Sequence, residues 1–305
     1  MVEYLAAKRT VDDRALNERV WRRFIGELKS GTGRTTERSD PIRILDVGTG
    51  IGTMAARLAE WERFDEPITY HGIDIDPAVI DAGRTRLPHW LASAGYDVTR
   101  NDDRIVAQSI ESDRSSSVTE SRIEISLEVA DVASITDDAD AVIAAAFLDV
   151  VDLEATLSRL RDCLGEGGIL YAPCTYDGGM AVVPTQPLDG KIERLYHRHM
   201  DEIRDRPGSA RAGAQLLEAA PRHGFEVLAV GGGDWVVRPG PRGYEAGEET
   251  FLEFLLETMD GALADYPDSV LSADSREAWI TRRSRQVRAG ELSLIAHNLD
   301  LLARV

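Results

Sequence analysis

The sequence predicts an α/β fold: a doubly wound, mainly parallel sheet with helices on both faces. Three observations point to it. Short apolar stretches alternate with amphipathic helical ones from residue 41 to about residue 239. The first apolar stretch runs into a glycine loop and then a helix, Ile44-Leu45-Asp46-Val47-Gly48-Thr49-Gly50-Ile51-Gly52. The second ends on a carboxylate, Asp74, where an open α/β sheet places its ligand crevice.

The 305 residues divide by pattern into a helical N-terminal cap (1–40), the α/β domain (41–239) and a helical C-terminal extension (240–305). In the cap, Leu16, Val20, Phe24 and Leu28 make one apolar stripe, with Ser30-Gly31-Thr32-Gly33 as its stop. Seven strands follow, at Arg43–Val47, Ile68–Ile73, Ile123–Val129, Ala141–Leu148, Ile169–Pro173, Glu226–Val230 and Trp235–Arg238. Helices are expected at roughly 52–62, 77–94, 152–164 and 209–223. Gly231-Gly232-Gly233-Asp234 is too short for a crossover helix, so the last two strands should form an antiparallel hairpin. Tyr96–Arg122 reads as a polar surface loop, Ser-rich from Glu111 to Ser121, with a short strand possible at Ile105–Ala107. Three further helices are expected at 249–264, 273–289 and 291–304.

Composition narrows the function classes. The longest apolar run, Ala141–Leu148, has eight residues, far short of the roughly 20 that span a bilayer. The N-terminus shows no basic-then-apolar leader, so a cytoplasmic protein is expected, with no membrane partner. Cys163 and Cys174 fit no metal or redox spacing. The 53 acidic residues against 35 basic ones give a net charge of -18, which disfavours nucleic acid as a partner. Only Lys8, Lys29 and Lys191 are lysines. Two readings of that bias stand: a surface adapted to high salt, or a coding preference for arginine. Residues 1–43 run against the trend, with ten basic and seven acidic residues.

A dinucleotide loop, Gly-x-Gly-x-x-Gly, would need glycine at position 53, where Thr53 stands. The spacing here is Asp46-x-Gly48-x-Gly50-x-Gly52. Asp74 follows Gly52 by 22 positions, in Gly72-Ile73-Asp74-Ile75-Asp76-Pro77. Asp76 and Pro77 read as the N-cap and first residue of a helix. Leu127-Glu128-Val129-Ala130-Asp131-Val132 and the strand through Ala144 complete the series. In this order and spacing, over roughly 41–239, the motifs resemble those of the class I S-adenosylmethionine-dependent methyltransferases.

The resemblance implies S-adenosylmethionine as cofactor. Its implied binding set is Asp46, Gly48, Gly50, Gly52, Asp74, Ile75, Asp131, Val132 and Ala144. Asp74 would accept from the ribose hydroxyls, Asp131 and the Val132 N–H would meet the adenine, and small Ala144 would admit the methyl donor. Asp131 taken alone reads as a loop cap. Arg9 is a candidate partner for the donor's carboxylate, or else a solvated surface arginine. Many relatives carry histidines at the positions of Asp149 and Val150, so a histidine base is excluded there.

On the acceptor side, Asp149, His197 and His199 are candidate catalytic groups, and Tyr176, Asp177, Tyr196 and Trp235 candidate substrate contacts. His197 and His199 could serve as base; without a third ligand in sight, no metal is expected. Trp235 reads first as core and second as a stacking surface, and His297 as a packed histidine. The implied function is methyl transfer to a small-molecule acceptor. An RNA methyltransferase, a nicotinamide-dependent oxidoreductase and a catalytically silent S-adenosylmethionine-binding protein are the rivals.

Overall fold

Alternation of apolar side chains gives the first strand two buried faces, and a helical layer covers each. The computed structural model describes residues 1–31, 40–101, 104–109, 121–136 and 138–305. In chain order the elements are α1 (Val2–Ala15), α2 (Glu18–Ser30), β1 (Ile42–Val47), α3 (Thr53–Trp61), β2 (Ile68–Asp74), α4 (Pro77–Ser93), β3 (Tyr96–Asn101), β4 (Arg104–Ser109) and β5 (Arg122–Val129). Then come β6 (Ala139–Ile143), α5 (Leu153–Asp162), β7 (Leu164–Val183), α6 (Asp189–Arg198), α7 (Ala212–Arg222), β8 (Glu226–Val237), α8 (Glu248–Ala264), α9 (Ala273–Arg288) and β9 (Ser293–Arg304).

The described strands form one sheet in the order β3-β4-β5-β2-β1-β6-β7-β9-β8. Its centre, β5-β2-β1-β6-β7, is parallel. Both flanks are antiparallel. Ile44 packs with Phe24 of α2, Met54 of α3 and Leu87 of α4 on one face. Its neighbour Leu45 packs with Leu157 of α5 and Leu216 of α7 on the other. Full burial of a side chain such as Phe24 is worth about 1.5–3 kcal/mol, and its ring stacks on Tyr171 of β7 at 4.5 Å. A third apolar cluster joins α1, α6, α8 and α9 to the ends of β8 and β9.

Four expectations are corrected. The N-terminal stripe is not one helix: Leu16 turns out of α1, and the Asn17 side chain caps α2 by accepting from Val20 N at 3.2 Å. The stretch after Tyr96 is not all loop, since β3 and β4 pair as an antiparallel hairpin; with β9 added and β8 counted once, the described residues form nine strands rather than seven. Residues 110–120 of the Ser-rich stretch, and Thr32 and Gly33, lie outside the described residues. Gly231–Gly233 is not a turn but the middle of the single strand β8. A Cβ on Gly231 would stand 2.3 Å from the Asn17 side chain, and one on Gly233 2.1 Å from the Ala15 carbonyl oxygen. The glycines therefore mark where the α1–α2 junction lies directly on the strand.

The fourth correction concerns 291–304, expected as a helix. It is β9, inserted antiparallel between β7 and β8. Leu294, Ala296, Asn298 and Asp300 are buried at every second position, the period of a strand. The 240–305 stretch thus supplies both helices α8 and α9 and an interior strand of the sheet.

Candidate cofactor and acceptor site

The glycine loop follows β1 directly. Gly48, Gly50 and Gly52 have φ of 65°, 57° and 81°, a region that favours glycine. A Cβ on Gly48 would also meet the Phe147 ring at 2.5 Å. Gly52 stands at the N-cap of α3, and no side chain caps that helix, so its first N–H groups face the crevice without a side-chain partner. Asp74, at the end of β2, fixes the loop: its Oδ2 accepts from Gly50 N at 3.1 Å and its Oδ1 from Asp76 N at 3.0 Å. Both oxygens keep a further lone pair. Beside it Ile75 is 73% exposed, and Val129, at the end of the adjacent β5, is 47% exposed. An acidic hydrogen-bond acceptor flanked by bare apolar side chains suits a ribose next to a flat ring.

The other implied cofactor residues divide. Asp46 is buried beneath the loop and accepts from the Tyr70 hydroxyl, while its Oδ1 has no partner. Burial pushes its carboxyl up to about 6. It supports the loop from below rather than lining the crevice. Asp131 does act as a cap, accepting from Ala133 N at 2.8 Å at the start of the short 3-10 turn Val132–Ser134. The residue is exposed, and its second oxygen is not engaged in that cap. Val132 is half-buried over α5. Ala144 is fully buried, its N–H donating to Tyr171 O at 2.9 Å just past β6.

Helix α1 lies over the loop. Leu5 stands 3.4 Å from the Cβ position of Gly50. Ion pairs tie the helix down: Glu3 with Arg86 at 2.9 Å, Asp13 with Arg57 at 2.6 Å and Arg14 with Glu248 at 2.6 Å. Arg9 belongs to this set. Its guanidinium meets both Glu60 oxygens at 2.5 Å and stacks on Trp90 at 4.5 Å. Its charge is already matched, so it reads as an anchor of α1 and not as the anion contact expected. The buried cation under α1 is Arg57, which the sequence reading missed; its only sequence signal is an arginine on an otherwise apolar helix face.

On the acceptor side the structure pairs two candidates. The Tyr176 hydroxyl and His197 Nε2 are 2.7 Å apart, bringing β7 and α6 together. Burial lowers the pKa of His197 and raises that of Tyr176, so at neutral pH the pair is an imidazole and a phenol. His199 is not part of it: its Nε2 lies 2.8 Å from Asp265, beyond α8. Asp149 follows β6, with its Oδ1 shielded and unpartnered, and burial raises its pKa. Asp177 Oδ1 accepts from Ala214 N at 2.7 Å and orients the start of α7. Tyr196 and Trp235 pack against the cluster holding Tyr176 and Met200. Trp235 meets Phe251 edge-on at 5.7 Å and carries Lys8 over its ring at 4.7 Å, with its own N–H unpartnered.

Two neighbours were not foreseen, Tyr4 and Lys8, because nothing in the α1 sequence says which elements it will cover. Tyr4 stacks on Phe254 at 4.4 Å, and Lys8 is buried against Asp12 at 2.7 Å. His297 pairs with Asp234 across β8 and β9 at 2.8 Å, on a strand and not the expected helix. No group of three His, Cys, Asp or Glu among the described residues is placed to hold a metal, and no described helix is long and apolar enough to cross a membrane. A cleft of about 430 Å³ opens between α5 and α7, lined by Leu148, Val151, Glu154, Gln215 and Arg222 among others. None of its lining comes from the glycine loop or the ends of β2 and β5, so it is separate from the crevice described above.

Residues 45–170 match the family model described as "Methyltransferase domain". No curated protein matches the sequence significantly. Among solved structures, the chain is similar to a putative methyltransferase from Bacillus halodurans, with 13% identity, 87% of this chain and 92% of that one covered, and a TM-score of 0.46. It is also similar to a mycolic acid cyclopropane synthase complexed with SAH and CTAB (14% identity, 92% and 82% covered, TM-score 0.42). A third is a geranyl diphosphate C-methyltransferase from Streptomyces coelicolor (13% identity, 94% and 80% covered, TM-score 0.42). The matched span runs from β1 to β7 and contains the glycine loop, Asp74 and Asp131. Over residues 45–170 the chain is thus similar to a methyltransferase domain, in keeping with its loop spacing and its sheet order.

Proposed function

We propose that this enzyme methylates a small-molecule acceptor held between α1, α6 and the carboxyl ends of β6 and β7. The observation that carries the reading is the hydrogen-bonded pair Tyr176–His197, packed with Tyr196 and Trp235 beneath a helix that also covers the glycine loop. When bound, S-adenosylmethionine supplies a methyl group activated by its sulfonium. The loop N–H groups and Asp74 would hold its ribose end, with Ile75, Asp131 and Val132 around the adenine and small Ala144 behind the donor. Helix α1 excludes water and aligns the acceptor, which is most of what an in-line displacement asks of a protein. His197, neutral at pH 7, accepts the acceptor's proton through the Tyr176 hydroxyl. The -18 charge opposes a nucleic-acid acceptor.

The test is transfer of labelled methyl from S-adenosylmethionine into fractionated extracts. Label in the small-molecule fraction, absent with Asp74→Ala, is expected. Label confined to RNA or protein would overturn the reading.

A further inference from the structure

Helix α6 meets β7 at two points, one turn apart. His197 Nε2 lies 2.7 Å from the Tyr176 hydroxyl, and Glu193 Oε1 accepts from Met180 N at 2.9 Å. Glu193 and His197 stand at i and i+4 of the helix and so share one face of it. Their two contacts straddle an irregularity in β7. Tyr176 pairs with Asn298 of β9 and Met180 with Ala296, so Asp177, Gly178 and Gly179 stand opposite His297 alone. Gly178 and Gly179 have φ of 75° and 66°, a conformation that costs glycine little to adopt and little to leave. A bulge of this kind re-aims the side chain beside it, here Tyr176.

Two side chains fasten the bulge. Asp177 Oδ1 accepts from Ala214 N at 2.7 Å and ties it to α7, while Glu193 ties its far end to α6. The helix itself is braced from behind. Asp189 accepts from Trp279 Nε1 at 2.8 Å and pairs with the buried Arg283, and the Tyr266 hydroxyl donates to Leu195 O at 2.7 Å. These contacts hold α6 without Glu193. What Glu193 adds is the seat of the strand against the helix.

We propose that Glu193 is the positioning residue of the Tyr176–His197 pair: by holding Met180 N it fixes the β7 bulge against α6 and keeps the Tyr176 hydroxyl on His197 Nε2. The inference rests on the methyl-transfer reading above, in which that pair takes the acceptor's proton.

Glu193 acts on His197 in two separable ways. Its charge favours the imidazolium, as does that of Asp201 in the turn His199–Ile203, although burial outweighs both and lowers the pKa. The other groups facing the ring are the phenols Tyr176 and Tyr196. Its grip on the bulge works the other way, because a hydrogen bond accepted at Nε2 favours the neutral ring. Glutamine removes the charge and keeps an oxygen for Met180 N, whereas methionine and alanine remove both.

The experiment is a histidine-observed NMR titration of the full chain as wild type, Glu193→Gln, Glu193→Met and Glu193→Ala, with His197→Gln identifying the resonance. Transfer of labelled methyl into the small-molecule fraction of an extract is measured beside it. Glu193→Gln is expected to lower the midpoint of His197. Glu193→Met and Glu193→Ala are expected to leave it at least about 0.5 pH higher than in Glu193→Gln, because the phenol has left Nε2. Transfer should be at least about tenfold slower in both than in Glu193→Gln. Midpoints that coincide in the three variants, or equal transfer by them, would overturn the proposal, since a residue acting only through its charge gives that result. Either of the two truncating variants suffices if the other does not fold. Loss of S-adenosylhomocysteine binding in both, with Glu193→Gln retaining it, would mark a mere anchor of the fold and overturn the proposal as well. Absence of transfer by the wild type would remove the methyl-transfer reading, while the midpoints still report whether Glu193 holds Tyr176 on His197.

Discussion

Asp46 and Asp74 sit on neighbouring strands and support one loop in different ways. Asp74 is half-buried and holds Gly50 N from the side, whereas Asp46 is buried beneath and holds Tyr70. Asp46 has its pKa raised by burial from 3.8 to about 6. Between those values the unfolded chain releases a proton that the folded chain keeps. The stability this group contributes is therefore largest below pH 4 and is lost as pH rises to 6. Asp46→Asn removes the loss, so the variant should gain roughly 2–3 kcal/mol relative to wild type between pH 4 and pH 7 in urea unfolding; a pH-independent difference would contradict the assignment. Gly48→Ala carries about 1–2 kcal/mol of left-handed strain besides the clash with Phe147. It should weaken S-adenosylhomocysteine binding at least about tenfold. His197→Gln should lower turnover roughly a hundredfold or more. The wild-type rate should fall as pH drops through a midpoint below the ordinary histidine value, because burial lowers this group. That acid limb should vanish in the variant.

At the scale of elements, the α1–α2 junction and β9 depend on each other. Asp300 of β9 accepts from Cys174 N at 2.8 Å and Asn17 N at 2.7 Å. It thereby ties the bend in β7 and the start of α2 to one carboxylate. Asp300→Ala would strand two backbone N–H groups, at about 1–3 kcal/mol each, and should make α1 the first site of proteolytic cleavage. An unchanged digestion pattern would show that α1 is held by its ion pairs alone. The sequence showed the parallel strands plainly, because β1, β2 and β5 are short stretches rich in Ile, Leu and Val that lead into Gly48, Asp74 and Asp131. It misled for β9, whose Leu294, Ala296 and Leu299–Leu302 fit a helical stripe as well as a strand until the period-2 burial is seen. Gly231–Gly233 looked like a turn because the helix that presses on it lies more than two hundred residues away in sequence, in Ala15 and Asn17. The Tyr176–His197 pair was legible as two residue types but not as a contact, since it forms only when α6 folds back on β7.

For the whole molecule, charge is the dominant surface property. A net charge of -18 on 305 residues repels itself, while α1 is fastened by local ion pairs. Raising salt from 0.1 M to 1 M shortens the screening length from about 10 Å to about 3 Å. That suppresses the long-range repulsion more than the contacts at 2.5–2.9 Å. Unfolding temperature should therefore rise with added salt and fall when salt is removed; no loss on desalting would favour the coding-preference explanation of the scarce lysines. Stability, however, does not test the central claim that the loop after β1 and the carboxylate after β2 form an adenosyl pocket. Calorimetric titration of wild type and Asp74→Ala with S-adenosylmethionine, S-adenosylhomocysteine and NAD does so directly. The account predicts micromolar binding of both adenosyl ligands, lost in Asp74→Ala, and none of NAD. Absent adenosyl binding, or a preference for NAD, would contradict it.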